Sequence, residues 1–252
     1  MRDHPARLDI ACALHREAAM LEAARTRVDS FQCLIWQCAP CIVVPRRMSM
    51  LERFPRAAAL MQEHGFPMFV RETGGDAVVQ GPGIINVTIA FTPSDRQRDR
   101  IHTTYERLCR PLINLLLRQG IRATTGAISG AMCDGAYNVV VGRRKLAGTA
   151  QRWRTWRSED GLLQYAVLAH LALSVDVDHA AACAAINTLY AELGIGARIC
   201  SDRHANWADI HPAPDRAARA RLISDLGRAY RETRHDFSER GRQPEPPAEI
   251  NT

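Results

Sequence analysis

No stretch of about 18 consecutive apolar residues occurs in the chain, so no membrane-spanning helix is expected and no membrane partner is implied. The first twenty residues, MRDHPARLDIACALHREAAM, carry acids and histidines where a secretory leader needs an unbroken apolar core, which points to the cytoplasm. There is no internal repeat, and no second C-x-x-C accompanies Cys38 and Cys41, so a zinc site lacks two of its ligands and no metal centre is expected. Ser-His-Asp, H-E-x-x-H and P-loop patterns are missing as well, as is any helix-turn-helix or RNA-binding signature.

What is present is the composition of a globular protein: 252 residues, 46% hydrophobic and 24% charged, enough for a real core. The net charge of +6 suits an anionic partner, but without a recognition motif nucleic acid is not expected to be that partner. Eight cysteines, scattered through apolar runs, read as reduced thiols and not as a disulfide framework.

Along the chain, apolar spacing predicts a helix from Leu8 to about Val28, strands in FQCLIWQ and CIVVP, a helix from Met48 to Glu63 and a strand in PMFVRE. IINVTIAF is a further strand. A long helix follows Pro93, capped at Ser94 or Asp95, ended at Gly120, and kinked or split at Pro111. Three strands come next, AYNVVVG, RKLAGTAQRWR and LLQYAVLAHLALSV, the first two turning at Gly142. Helices are expected over 176–193, closed by Gly194, and after Pro214. This order predicts an α+β fold with mixed, largely antiparallel sheets and packed helices. Residues 1–200 read as the main domain, 201–239 as a helical extension and 240–252 as a disordered, Pro-rich tail.

A few positions carry chemistry. Gly74 and Gly75 bare the backbone in RETGGDAVVQ, which suits either a hairpin turn or close approach to a ligand. Cys133, in the glycine-flanked GAMCDGAYN, is placed to be an exposed nucleophile if a cation or a helix terminus lowers its pKa. Lys145 interrupts a strand of small and apolar residues and is the only lysine between Gly126 and Cys200. A compact ammonium there can meet a phosphate or a developing oxyanion, although an exposed edge lysine is the plainer reading. His170 breaks an apolar strand in the way a hydrogen-bonded core histidine does.

Taken in order, LIWQCAPCIVVPRR, RETGGDAVVQGPGIIN, DGAYNVVVGRRKLAGTAQR and LLQYAVLAHLALSVDVD resemble the motifs of the lipoate–protein ligase and octanoyltransferase family, itself related to the biotin protein ligases. The resemblance spans about residues 8 to 195. It implies that Arg71, Gly74, Gly75, Asp76 and Ala77 form a loop over an acyl chain and, in a ligase, over the adenylate phosphate. Asn86 would hold that loop or face the nucleotide, and Asn138 would stand on the strand before the lysine. Lys145 would be the catalytic cation, Gly148, Thr149 and Ala150 would line the acyl tunnel, and His170 would lie near its mouth.

Four departures accompany the resemblance: Asp76 replaces a third glycine, Gln80 a histidine, Asn138 an acid, and Leu171 a glycine. A carboxylate at Asp76 repels a nearby phosphate by about 1 kcal/mol or more at 4 Å unless a cation intervenes. Three functions remain open on these residues. One is a ligase using ATP and Mg²⁺ to attach lipoate or octanoate to a lysine of a lipoyl-carrier domain, of the dehydrogenase E2 or glycine cleavage H type. Another is a cofactor-free transferase with Cys133 or Cys200 as nucleophile, and the third is a non-catalytic acyl- or carrier-binding protein.

Overall fold

The computed structural model describes residues 6–26, 31–93, 99–159 and 161–233. The tail expected over 240–252 lies outside the described residues.

The chain begins with β1 (Ala6–Arg7), α1 (Ile10–Thr26), β2 (Phe31–Gln37) and β3 (Cys41–Pro45). Then come α2 (Arg46–Ser49), α3 (Phe54–Glu63), β4 (Met68–Arg71), β5 (Val78–Gln80) and β6 (Ile84–Phe91). Next are α4 (Arg100–Arg118), β7 (Thr124–Gly126), β8 (Asn138–Val141), β9 (Arg144–Arg157) and β10 (Leu163–Ser174). The described chain ends with α5 (His179–Leu193), a 3₁₀ turn at Ser201–Arg203, α6 (Trp207–Ile210) and α7 (Arg216–Glu232).

Seven strands form one sheet in the order β1-β2-β6-β10-β9-β8-β7, antiparallel except for β1 on β2. A second sheet, β4-β3-β5, is mixed. The α+β fold with antiparallel-rich sheets is the one the sequence predicts.

The sequence of β6 explains which face of the large sheet does what. Successive strand residues point to opposite faces. Ile85, Val87, Ile89 and Phe91 therefore share a side, and they pack with Leu108, Leu112 and Leu116 of α4 and Leu222, Leu226 and Tyr230 of α7 in the main core. The alternate positions, Asn86, Thr88 and Ala90, are small or polar. On that side Ala90 packs beneath Met20, Leu21 and Ala24 of α1, Asn86 lines a cavity, and Thr88 is buried in hydrogen bonds with Glu17 and Trp36. Tyr230 also donates its hydroxyl to the Leu108 carbonyl at 2.6 Å, so α7 is fastened to α4.

Several predicted boundaries move. The helix expected over Met48–Glu63 is two helices, because the turn at 50–53 interposes before Phe54-Pro55, and proline is well suited to a first helical turn. The long helix starts at Arg100 with Asp99 as its cap, the Asp99 side chain accepting from the His102 N–H at 3.1 Å. Ser94 and Asp95 fall outside the described residues. Pro111 neither splits nor ends α4, which runs unbroken to Arg118. The hairpin at Gly142 (φ +59°) and the C-cap Gly194 (φ +72°) stand where expected, while the helix expected from 176 starts at His179 with Asp178 as its cap.

Candidate functional site

Two cavities lie back to back against the glycine loop. The outer one, about 530 Å³, is walled by Arg47, Asp76, Asp134, Tyr190 and Arg198 among others. The inner one, about 60 Å³, lies between the open face of the large sheet, α1 and the small sheet. Cys133 borders both.

Strand register builds the inner cavity in two rows. Asn86, Ala172 and Gly148 stand side by side on β6, β10 and β9, and Thr88, His170 and Ala150 form the next row. Two residues along a strand separate the rows by about 7 Å. Ile10, Leu14 and Glu17 of α1 form the roof.

Lys145 lies at the inner end of this surface and is 6% exposed. Its Nζ donates to the carbonyl oxygens of Met132 and of Cys133, the latter at 3.0 Å. Burial pulls its pKa down to about 8, against the opposing pull of Cys133 and Asp134. Gly148 makes room for it: a Cβ there would stand 3.1 Å from Nζ. Lys145 is also the sole lysine of the whole chain.

Cys133 has φ +51°, the single positive value among the described non-glycine residues. Such a conformation is uncommon outside glycine, asparagine and aspartate. Its Sγ accepts the Asp76 backbone N–H at 3.2 Å. Gly75 approaches so closely that a Cβ would fall 2.6 Å from that Sγ and 3.0 Å from Arg71 Nη2, and its φ is +95°. Arg71, buried, holds the loop in shape by donating to the carbonyls of Val43, Gly74 and Asp76 at 3.1, 2.9 and 2.7 Å. Arg47 donates to the Gly75 carbonyl and pairs with the Asp76 carboxylate.

The other predicted residues lie around these, not all of them at the inner cavity. Asn138, 1% exposed, donates to the Cys133 carbonyl at 3.1 Å and accepts the Thr149 N–H at 3.3 Å, bracing β9 against the Cys133 loop. Asn86 lines the inner cavity in a reciprocal amide pair with Gln80, at 2.9 and 3.1 Å. Thr149, Ala150 and His170 line the same cavity. Gly74 faces open space and Ala77 is buried in the small-sheet core, so neither lines the inner cavity. Cys200 lies behind Gly130, with its sulfur 3.9 Å from where a Cβ would be.

Three contributors went unread in the sequence. Glu17 accepts from the Thr88 hydroxyl at 2.6 Å, and Thr88 in turn accepts from Trp36 Nε1 at 3.2 Å. Burial works to raise the Glu17 pKa, but His170 at 3.7 Å, with Thr88 and Trp36, outweighs it and holds the carboxyl below its ordinary range. Arg47 is the second. His204 is the third: its Nε2 accepts the Met132 N–H at 3.0 Å. The arrangement presents a sulfur, a neighbouring backbone donor and a buried amine of lowered pKa at the meeting of two cavities, which is what acyl transfer through a covalent intermediate requires.

Solved structures share the fold. A lipoate-protein ligase A bound with ATP superposes with a TM-score of 0.60 at 19% identity, covering 88% of this chain and 81% of that one. Residues 9–205 match the lipoyl protein ligase A/B catalytic domain, and the chain belongs to that family. Among its relatives, an octanoyl-[GcvH]:protein N-octanoyltransferase of Kyrpidia tusciae is 37% identical over 166 residues, 65% of this chain and 56% of that protein. An uncharacterized protein of Cupriavidus necator is 32% identical over 225 residues, 84% of this chain and 88% of its own length. This chain thus spans only about half the length of the octanoyltransferase it matches.

Proposed function

We propose that the protein moves an octanoyl or lipoyl group from one lysine of a GcvH-type carrier to a lysine of another lipoyl-carrier domain, through a thioester on Cys133. The observation that carries this reading is the position of Cys133 between the two cavities, with the Asp76 N–H on its sulfur and Lys145 on its carbonyl. The octanoyltransferase relative named for an octanoyl-[GcvH] donor supports the choice of carrier.

In the first half-reaction the Cys133 thiolate attacks the acyl amide carbonyl and the C–N bond breaks. The donor lysine departs as an amine, taking a proton that Lys145, with its pKa near 8, is able to supply. The acceptor amine then attacks the thioester, the C–S bond breaks and the thiolate is restored. The lost amine proton returns to Lys145, so protons balance over the cycle. Backbone N–H groups of the glycine loop stabilise the oxyanion in each step.

The acyl chain would lie in the inner cavity, along the face of the large sheet and beneath Ile10 and Leu14 of α1. An ATP-dependent ligation is the alternative chemistry of the family resemblance. Asp76 and Arg47 already satisfy each other at the loop where a phosphate would sit, which favours transfer over adenylation.

The test is intact mass after mixing the protein with an octanoylated GcvH-type carrier, without nucleotide. An acyl adduct on the parent, absent in Cys133→Ser, and ATP-independent labelling of an acceptor domain are expected. Modification that needs ATP, or a Cys133→Ser protein that transfers at the parent rate, would overturn the reading.

A further inference from the structure

His204 sits in an irregular segment after the 3₁₀ turn, 5% exposed, and joins that turn to residues far away in sequence. Its Nδ1 lies 3.0 Å from the Cys200 carbonyl oxygen. A carbonyl only accepts, so Nδ1 carries the proton and Nε2 is left as the acceptor. That acceptor meets the Met132 N–H at 3.0 Å. The backbone is tied in too, since Ala205 N–H donates to the Lys145 carbonyl at 2.8 Å and His204 bridges with Lys145.

The Met132 residue is thus gripped at both ends: its N–H by His204 and its carbonyl by Lys145 Nζ. The next carbonyl, that of Cys133, is held by the same Nζ and by Asn138. We propose that His204 is a positioning residue, fixing the Met132–Cys133 backbone and, through it, the Lys145 ammonium; the inference rests on the acyl-transfer reading above.

Protonation would put a second N–H opposite the Met132 N–H and break the grip. The surroundings oppose it: burial, the His179 ring stacked at 4.9 Å and the Lys145 charge push the pKa of His204 down to about 4. The groups whose charges act on Lys145 itself are Cys133, Asp134, Arg71 and Asp76.

Glutamine and asparagine separate the two ring nitrogens. A glutamine oxygen can reach the Met132 N–H as Nε2 does, whereas asparagine reaches only the place of Nδ1. Because Lys145 is the sole lysine, competitive labelling of the full chain with acetic anhydride against pH reads its titration directly from one peptide. His204→Asn should move the labelling midpoint upward by about one pH unit or more, towards the ordinary lysine value. It should also lower kcat by about tenfold or more with little change in KM, as expected when a reacting group is misplaced. His204→Gln should restore both.

A parent-like midpoint and kcat in His204→Asn, or a His204→Gln protein displaced as far as His204→Asn, would overturn the proposal. Labelling does not depend on turnover. Failure of the acyl-transfer reading would appear instead as parent-rate transfer by Cys133→Ser.

Discussion

The Asp76 backbone N–H donates to Cys133 Sγ at 3.2 Å, joining two loops that lie 57 residues apart. The contact depends on Gly75, because no other residue lets the preceding backbone come so near the sulfur. It makes the sulfur and the loop a single geometric unit, so disturbance of either is a disturbance of both.

Gly75→Ala tests that unit. The added Cβ meets Sγ at 2.6 Å, and φ +95° strains any alanine there. An ångström-scale displacement of a reacting group costs about a hundredfold in rate. Acyl transfer should fall by about that factor with the fold intact by circular dichroism. Gly148→Ala should cost less, since its Cβ meets the flexible end of Lys145 at 3.1 Å and that end can shift. Equal rates in the parent and Gly75→Ala would show that the loop does not need to touch Cys133.

Lys145 gives a prediction with a sign. An unfolded lysine titrates near 10.5 and the folded one near 8, so between those values the unfolded chain binds more protons and stability rises with pH. Below pH 8 the buried charge opposes folding in full, by about 3 kcal/mol. In denaturant melts from pH 8 to 10.5, the parent should gain stability relative to Lys145→Met. Parallel curves would mean that the amine is not buried. Activity should drop by about a hundredfold or more in Lys145→Ala, the scale for loss of a positioned proton donor, and nearly as far in Lys145→Arg, whose guanidinium keeps its proton and whose planar fork cannot take the place of a compact ammonium.

Residues with local signatures were the ones legible in the sequence. Gly142, Asp178 and Gly194 punctuate their elements through backbone conformation or capping, which depend on near neighbours alone. Lys145 and Cys133 stood out because each is odd in its own segment. Other features depend on distant partners. Glu17 reads as a surface charge of an amphipathic helix, and its burial follows from Thr88, 71 residues away. His204 has no periodic context, and its partner Met132 is 72 residues distant. The strands β2 and β3 follow each other closely yet join different sheets, a choice made by long-range pairing that no local pattern records. The start of α4 is not fixed by local sequence, because Ser94, Asp95 and Asp99 are all acceptable caps in one polar, charged stretch.

Glu17 supplies the opposite pH dependence. Its folded pKa lies below the ordinary value of 4.5, so its contribution is complete above that value and is lost as pH falls through the folded pKa. Glu17→Gln keeps the shape but leaves the Thr88 and His170 contacts without a charge. It should destabilise the protein by about 1–3 kcal/mol at pH 7, the range for a buried hydrogen-bonded group. The difference should shrink in melts taken progressively below pH 4.5. A constant difference down to pH 3 would show that the carboxylate charge is not what stabilises the site.

Ala150 stands in the second row of the inner cavity, beside His170 and one row beyond Gly148. An acyl chain that starts at Cys133 and runs along the sheet face crosses the Gly148 row before it reaches Ala150, with about 7 Å between the rows. The first carbons therefore lie before Ala150 and the last ones lie against it. Ala150→Leu fills the second row and leaves the first open. Each excluded methylene is worth about 1–3 kcal/mol in a hydrophobic pocket. Octanoyl transfer by Ala150→Leu should lose about tenfold or more in kcat/KM while butyryl transfer changes little, so that the chain-length preference shortens. Measured kcat/KM for butyryl, hexanoyl and octanoyl carriers decides the matter. Equal losses for all three lengths would place the acyl chain elsewhere than along the Gly148 to Ala150 face.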